Sequence, residues 1–180
     1  MNKDSQQRID NRQDADITAS WMAHADMESA LDKCDRILKT LPPVAAPHFE
    51  AAITLLAINL NDALQKASTD GKRITFSDNI DAEAKVADVT ELISKFRNAA
   101  CHIFSPLTKV DGGKFRFIVI GGKAIGAISI SSWDFGSDFE DDVAIYFGRF
   151  RVYLVRHIQR AVDELNSAYP RHRWSDATAP

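Results

Sequence analysis

The feature that most constrains this chain is a change of period. Up to about residue 104 its apolar residues recur at the spacing of one helix face, and from about residue 115 they read as strands. In the first stretch Ile17, Trp21, Met22, Ala25, Leu31, Ile37 and Leu38 keep a mostly apolar stripe, which "LPPVAAP" at 41–47 ends. Proline ends it because it lacks an N–H and clashes with the preceding turn. A second helix is expected over about 47–67, where Ile53, Leu56, Leu60 and Leu64 carry the rhythm and Leu55 and Ile58 widen the face. "STDGKRITFSD" is a loop containing Gly71. A third helix is expected over about 79–104, with Val86, Val89, Ile93, Phe96 and Ala100 on its buried side and Pro106 beyond its end.

The strand signal is "KFRFIVIGGKAIGAISIS", two β-branched and aromatic runs around Gly121-Gly122. It predicts a β-hairpin at about 115–131, with Gly126 at a bulge or a close backbone approach. An isolated hairpin is marginal in water, so it has to pack on the helices or on a partner chain. After it, Ser137 and Glu140 match a capping box, and Asp138, Glu140, Asp141 and Asp142 suit the positive end of a helix dipole. Val143, Phe147, Phe150, Leu154, Ile158, Val162 and Leu165 then form a stripe that predicts one helix from about 138 to 169, stopped by Pro170. The expected fold is therefore mainly α: an up-down bundle of four to five helices with an inserted hairpin. Residues 1–15, polar and rich in Asn and Gln, are expected to be disordered, residues 16–170 to form one domain, and residues 171–180 to be a flexible tail.

Composition bounds the function. A chain of 180 residues can bury roughly 70% of its unfolded surface and needs no staples. Its 45% hydrophobic and 26% charged residues are those of an ordinary globular domain, and a net charge of −3 excludes a strongly basic coat for nucleic acid. Cys34 and Cys101 lie far apart, which is neither a disulfide framework nor a metal-ligand spacing. The N-terminus has no apolar signal region and no run reaches the roughly 20 apolar residues of a membrane helix, so the expected location is the cytoplasm.

The polar residues that ask for an explanation lie in "KFRNAACHIFSP", residues 95–106. Asn98 and His102 are four apart and share a helix face, while Arg97 is long enough to curl toward it. One helix makes a poor pocket of these three. Two copies about a two-fold axis would bring two arginines and two histidines into one cleft.

"RNAACH", residues 97–102, resembles the R-x-x-x-x-H signature of the HEPN superfamily, including the polar residue directly after the arginine. The resemblance covers the helices expected at 79–104 and 138–169, and the hairpin is not part of that family's core pattern. It implies a small helical domain that dimerises through the motif and, in many members, cuts RNA without a metal as a toxin or abortive-infection protein. Arg97 and His102 would then be catalytic and Asn98 supporting, with no cofactor, and RNA, a second copy and an antitoxin or regulatory protein as partners. The chemistry suits these residue types. Histidine titrates near neutral pH and can move a proton, and the arginine fork matches the oxygens of a developing phosphorane.

Arg149, Arg156 and Arg160 are spaced by seven and four, so on a helix they fall within about 20° of one another. That predicts a basic stripe able to hold an RNA backbone without reading bases, with Arg151 to one side and Arg171, His172 and Arg173 following. Plainer readings stand beside each signal. The arginines can form a solvated face paired with Asp163 and Glu164, and His102 can cap its helix. Asn98 can be a satisfied buried amide, and the chain can be a catalytically silent binding or regulatory module.

Other candidates fall away. "GGKAIG" lacks the order of a phosphate loop, and "DFEDD" has no histidine partners spaced for a metal. Cys101 and His102 point about 100° apart on a helix, so they do not form a nucleophile–base pair. His157 borders the apolar stripe as a core or interface histidine.

Overall fold

The computed structural model describes residues 3–102, 106, 109–110, 113–114, 117–130 and 133–170, giving only backbone elements for 3–17, 109–110 and 113–114. Helix α1 spans Lys3–Lys39, so it covers residues 3–15, where the sequence predicts disorder. Lysine, glutamine and arginine are adequate helix formers, and extending an existing helix avoids the cost of a new nucleus. Among the described residues of α1, Met27, Ala30, Leu31 and Cys34 are buried, whereas Trp21 and Met22, placed on the stripe from sequence, are exposed. Helix α2, Phe49–Thr69, buries Ile53, Leu56, Leu60 and Leu64 as their spacing requires and leaves Leu55 and Ile58 exposed. Both cysteines are free. Among the described residues no helix is long and apolar enough to cross a membrane.

Helix α3 is shorter than expected, Val89–Cys101. Two residues in the left-handed region, Asn79 at φ 61° and Lys85 at φ 49°, keep the preceding segment out of a helix apart from a 3₁₀ turn at Ala82–Ala84. Asp88 then caps α3, its Oδ1 accepting the Glu91 N–H at 2.9 Å while Glu91 Oε2 accepts from the Ala87 N–H at 2.9 Å. Arg73 donates from Nε and Nη2 to the same buried Asp88 carboxylate.

The second half of the chain corrects the fold class. It is a mixed α/β fold, not a mainly α bundle with a small hairpin. The strands are β1 (Lys109–Val110), β2 (Gly113–Lys114), β3 (Ile118–Gly121), β4 (Ala124–Ile130), β5 (Trp133–Ser137), β6 (Val143–Phe147) and β7 (Phe150–Tyr153). The two runs around Gly121-Gly122 are strands, but they do not pair with each other as a hairpin would. β3 pairs antiparallel with β6, and β4 pairs antiparallel with β5. Residues 115–116 and 131, the ends of the expected hairpin, lie outside the described residues, as does the tail 171–180.

The helix expected over 138–169 begins only after Tyr153, with a widened π turn at Leu154–Gln159 continued by α4 (Arg160–Ala168). Residues 143–153 of that stretch are instead the β6–β7 hairpin, joined by Gly148-Arg149 with Gly148 at φ 59°. A two-residue link with glycine first at positive φ matches the twist of antiparallel strands. The sequence imitates a helix here because Phe147 and Phe150 face each other across the hairpin. Their separation of three mimics one turn of a helix stripe.

Side chains alternate across the sheet β3-β6-β7. Ile145, Phe147, Phe150 and Val152 join the core shared with the helices. Ala144, Tyr146 and Tyr153 join a second core with Ile118, Ile120 and Phe135, beneath the β4–β5 hairpin. The sheet is thus the middle of three layers. Tyr146 clamps the outer layer, its hydroxyl donating to Gly136 O at 2.6 Å and accepting from Gly136 N at 3.1 Å. The hairpin lies close at Gly136, where an added Cβ would stand 2.8 Å from the Ala124 carbonyl oxygen. Gly126, expected at a bulge, lies in the stretch of β4 where the register with β5 shifts.

Candidate functional site

Helix α3 buries Leu92, Ile93, Phe96 and Ala99, which leaves Arg97 and Asn98 half-buried at the edge of that face. Arg97 Nη1 donates to Asn98 Oδ1 at 3.0 Å. His102 follows the last helical residue, and its backbone N–H donates to Asn98 O at 3.2 Å. The Asn98 side chain thus holds the Arg97 guanidinium, while its contact with the exposed His102 is through the main chain alone. Among the described residues Arg97 Nε is buried without a hydrogen-bond partner, and the His102 ring has none. An exposed imidazole is a group that can move a proton, and the guanidinium of Arg97, five residues earlier, is a group that can hold an oxyanion.

The expected arginine stripe does not form. Arg149 lies in the link between β6 and β7, where its guanidinium rests 5.5 Å from the Phe150 ring centre, so it is not on a helix with the other two. Arg156 pairs with Asp142 at 3.1 Å and Asp141 at 2.8 Å and stacks 3.7 Å over Phe139. Arg160 pairs with Asp78 and with Glu164, both at 2.9 Å, and stacks on Phe76. Carboxylates of this chain thus already balance Arg156 and Arg160. Arg151, set to one side from sequence, is the most enclosed of the group, pairing with Asp81 and with Asp138 at 2.9 Å.

Compared with family models, curated proteins and solved structures, the chain matches none.

Sequence reasoning misses the clamp that starts the last helix. Asp142 suits a helix dipole by its position in the sequence, yet it is buried just before β6 and reaches a helix start twelve or more residues on. Its Oδ1 accepts from the Val143 and Val155 amides at 2.7 and 2.9 Å, and its Oδ2 from the Arg156 amide at 3.0 Å. His157 completes the clamp. It is fully buried, its Nδ1 accepts from the Tyr153 amide at 3.1 Å, and its Nε2 stands 3.0 Å from Asp78 O. A carbonyl only accepts, so the ring proton sits on Nε2 and the imidazole is neutral. Nearby, burial pushes the Tyr153 phenol up to about 12, and its hydroxyl bonds Asp138 Oδ2 at 3.0 Å. The doubled aspartate before a β-branched run is the only local sign of the clamp.

Burial pushes the His157 pKa down, and although the Asp78 carbonyl, Asp142 and Asp81 raise it, Arg151 lowers it further. The unfolded chain then binds a proton that the folded one refuses. Stability is complete above the unfolded value near 6.5 and falls as pH drops below it, by up to about 1.4 kcal/mol per unit until the lowered native value is reached. Urea unfolding at pH 7.5, 6.0 and 5.0 checks this. The same series on His157→Asn is expected to be flatter, and equal slopes would remove His157 as the cause.

Proposed function

We propose that the protein is a metal-independent endoribonuclease of the toxin or phage-defence kind, acting in the cytoplasm as a homodimer. Arg97 and His102 do the chemistry and Asn98 orients Arg97. The observation that carries this reading is the Arg97–Asn98 bond set one turn from an exposed His102. In the reaction the RNA 2′-OH attacks the adjacent phosphorus as a histidine takes its proton. The new bond is 2′-O–P, and the bond that breaks is P–O5′. The leaving 5′-oxygen takes a proton from the second copy's His102, and Arg97 holds the phosphorane oxygens. The products are a 2′,3′-cyclic phosphate and a 5′-OH, and no cofactor takes part. A protein that is toxic to its own cell needs restraint, so an antitoxin or regulatory protein is the further partner.

The pairing of Arg156 and Arg160 within the chain favours a second reading, a catalytically silent binding or regulatory module. Incubation with total RNA in EDTA separates the two. The wild type is expected to leave cyclic-phosphate ends, and His102→Ala and Arg97→Ala to lose at least about 100-fold in rate while remaining folded. Cleavage that survives both substitutions would move the site elsewhere. No cleavage by folded wild type on total RNA would shift the reading to the binding module.

A further inference from the structure

A second site lies away from α3, where the 3₁₀ turn Ala82–Ala84 faces β5 and the β6–β7 link. The cleft between them has a volume of about 300 Å³. That is the lower end of the range for small-molecule sites and is large enough for one nucleotide. Trp133, half-buried, forms part of its wall. Arg151 also lines it, and its charge is balanced by Asp81 and Asp138, while its Nε is buried with no hydrogen-bond partner among the described residues.

Three other charged residues of the lining, Glu83, Asp134 and Arg149, have no ion-pair partner among the described residues, and Asp134 Oδ1 accepts from Ser129 Oγ at 2.6 Å. Glu83 and Arg149 are exposed and do not pair with each other. The lining therefore offers a ligand the Glu83 and Asp134 carboxylates, the Arg149 guanidinium and the Trp133 indole. Such a site is complementary to a ligand with an anionic end, a flat face and an edge of hydrogen-bond donors.

We infer that this cleft binds the guanosine monophosphate moiety, with the base on Trp133, the phosphate on Arg149 and the base edge on Glu83. Guanine presents N1–H and N2–H₂ side by side, so one carboxylate accepts from both. Uracil offers one N–H between two carbonyl oxygens, which repel a carboxylate. Phosphate suits the arginine fork, and stacking on an aromatic ring adds affinity that is indifferent to base identity. The inference stands apart from the Arg97–His102 reading, because it concerns different residues and is read by binding rather than cleavage.

The test is calorimetric titration of the full chain with GMP, AMP, CMP and UMP. GMP is expected to bind about tenfold or more tighter than UMP, and Trp133→Ala and Arg149→Ala each to weaken GMP by about tenfold. Glu83→Gln is expected to weaken GMP and to strengthen UMP, because the amide loses one acceptor for the guanine edge and no longer repels the uracil carbonyls, so that the two bind alike. A guanine-ended pentaribonucleotide distinguishes the source. Tighter binding than GMP assigns the site to an RNA strand, and equal binding assigns it to the free nucleotide. The inference is overturned if folded wild type binds no GMP at millimolar concentration, if GMP and UMP bind alike, or if both Trp133→Ala and Arg149→Ala bind GMP as the wild type does.

Discussion

Asp142→Ala is expected to destabilise the protein by about 3–5 kcal/mol, read by urea unfolding at pH 7. The carboxylate is buried and accepts from three backbone amides and from Arg156 Nη1. Without it the Val143, Val155 and Arg156 N–H groups lose their partner, and each orphaned buried donor costs about 1–3 kcal/mol before any water reaches it. Arg156 also loses its enclosed counter-charge and keeps only the exposed Asp141. An asparagine in its place would retain one acceptor oxygen, so Asp142→Asn is expected to cost about half as much. The amides that lose their partner belong to the start of the helix that follows β7, so local unfolding should begin there. A loss under about 1 kcal/mol would mean that water replaces the carboxylate at no cost, and that the clamp does not hold the helix start.

Phe96→Ala is expected to cost about 3–5 kcal/mol and to lower the melting temperature by about 10 °C or more. Phe96 is fully buried on α3 and meets Phe147 of β6 edge-on, with ring centres 4.9 Å apart. Phe147 in turn lies 5.0 Å from Phe117, which lies 6.4 Å from Phe49 at the start of α2. These rings join the helical layer to the sheet, so a cavity at Phe96 loosens both. Phe96→Leu keeps most of the volume and should cost clearly less. Because Arg97 is the next residue, the alanine variant should also lose RNA cleavage ahead of global unfolding if the proposed site acts. Differential scanning calorimetry beside a cleavage assay reads both effects.

Although it missed that α1 reaches back to Lys3, that residues 79–88 stay out of α3 and that Leu55 and Ile58 are exposed, the sequence by itself determined helices within 17–39, 49–69 and 89–101 and the burial of Ile53, Leu56, Leu60, Leu64, Val89, Ile93 and Phe96. Those properties depend on neighbours three or four positions away, and the chain order carries them directly. The β-branched runs at 118–121 and 124–130 were legible as strands for the same reason. That Arg97 to His102 stand at the end of a helix was legible too.

Only the tertiary structure decided what the strands pair with. Gly121-Gly122 looked like a hairpin turn, yet β3 finds β6 more than twenty residues later, because both faces of that pair can then be buried between helices and hairpin. It also decided that Val143–Tyr153 is a hairpin, since Phe147 and Phe150 satisfy a helix stripe and a cross-strand pair equally well by spacing alone. Arg160 pairs with Glu164, a partner four residues on that the sequence offered, but Arg156 and Arg160 are also held by Asp142 and Asp78, which lie 14 and 82 residues away. Periodicity reports a residue's own element, whereas a partner across the fold is chosen by the whole core. That is why the centre of each helix face and the local Arg160–Glu164 pair could be read in advance, and the distant charge partners could not.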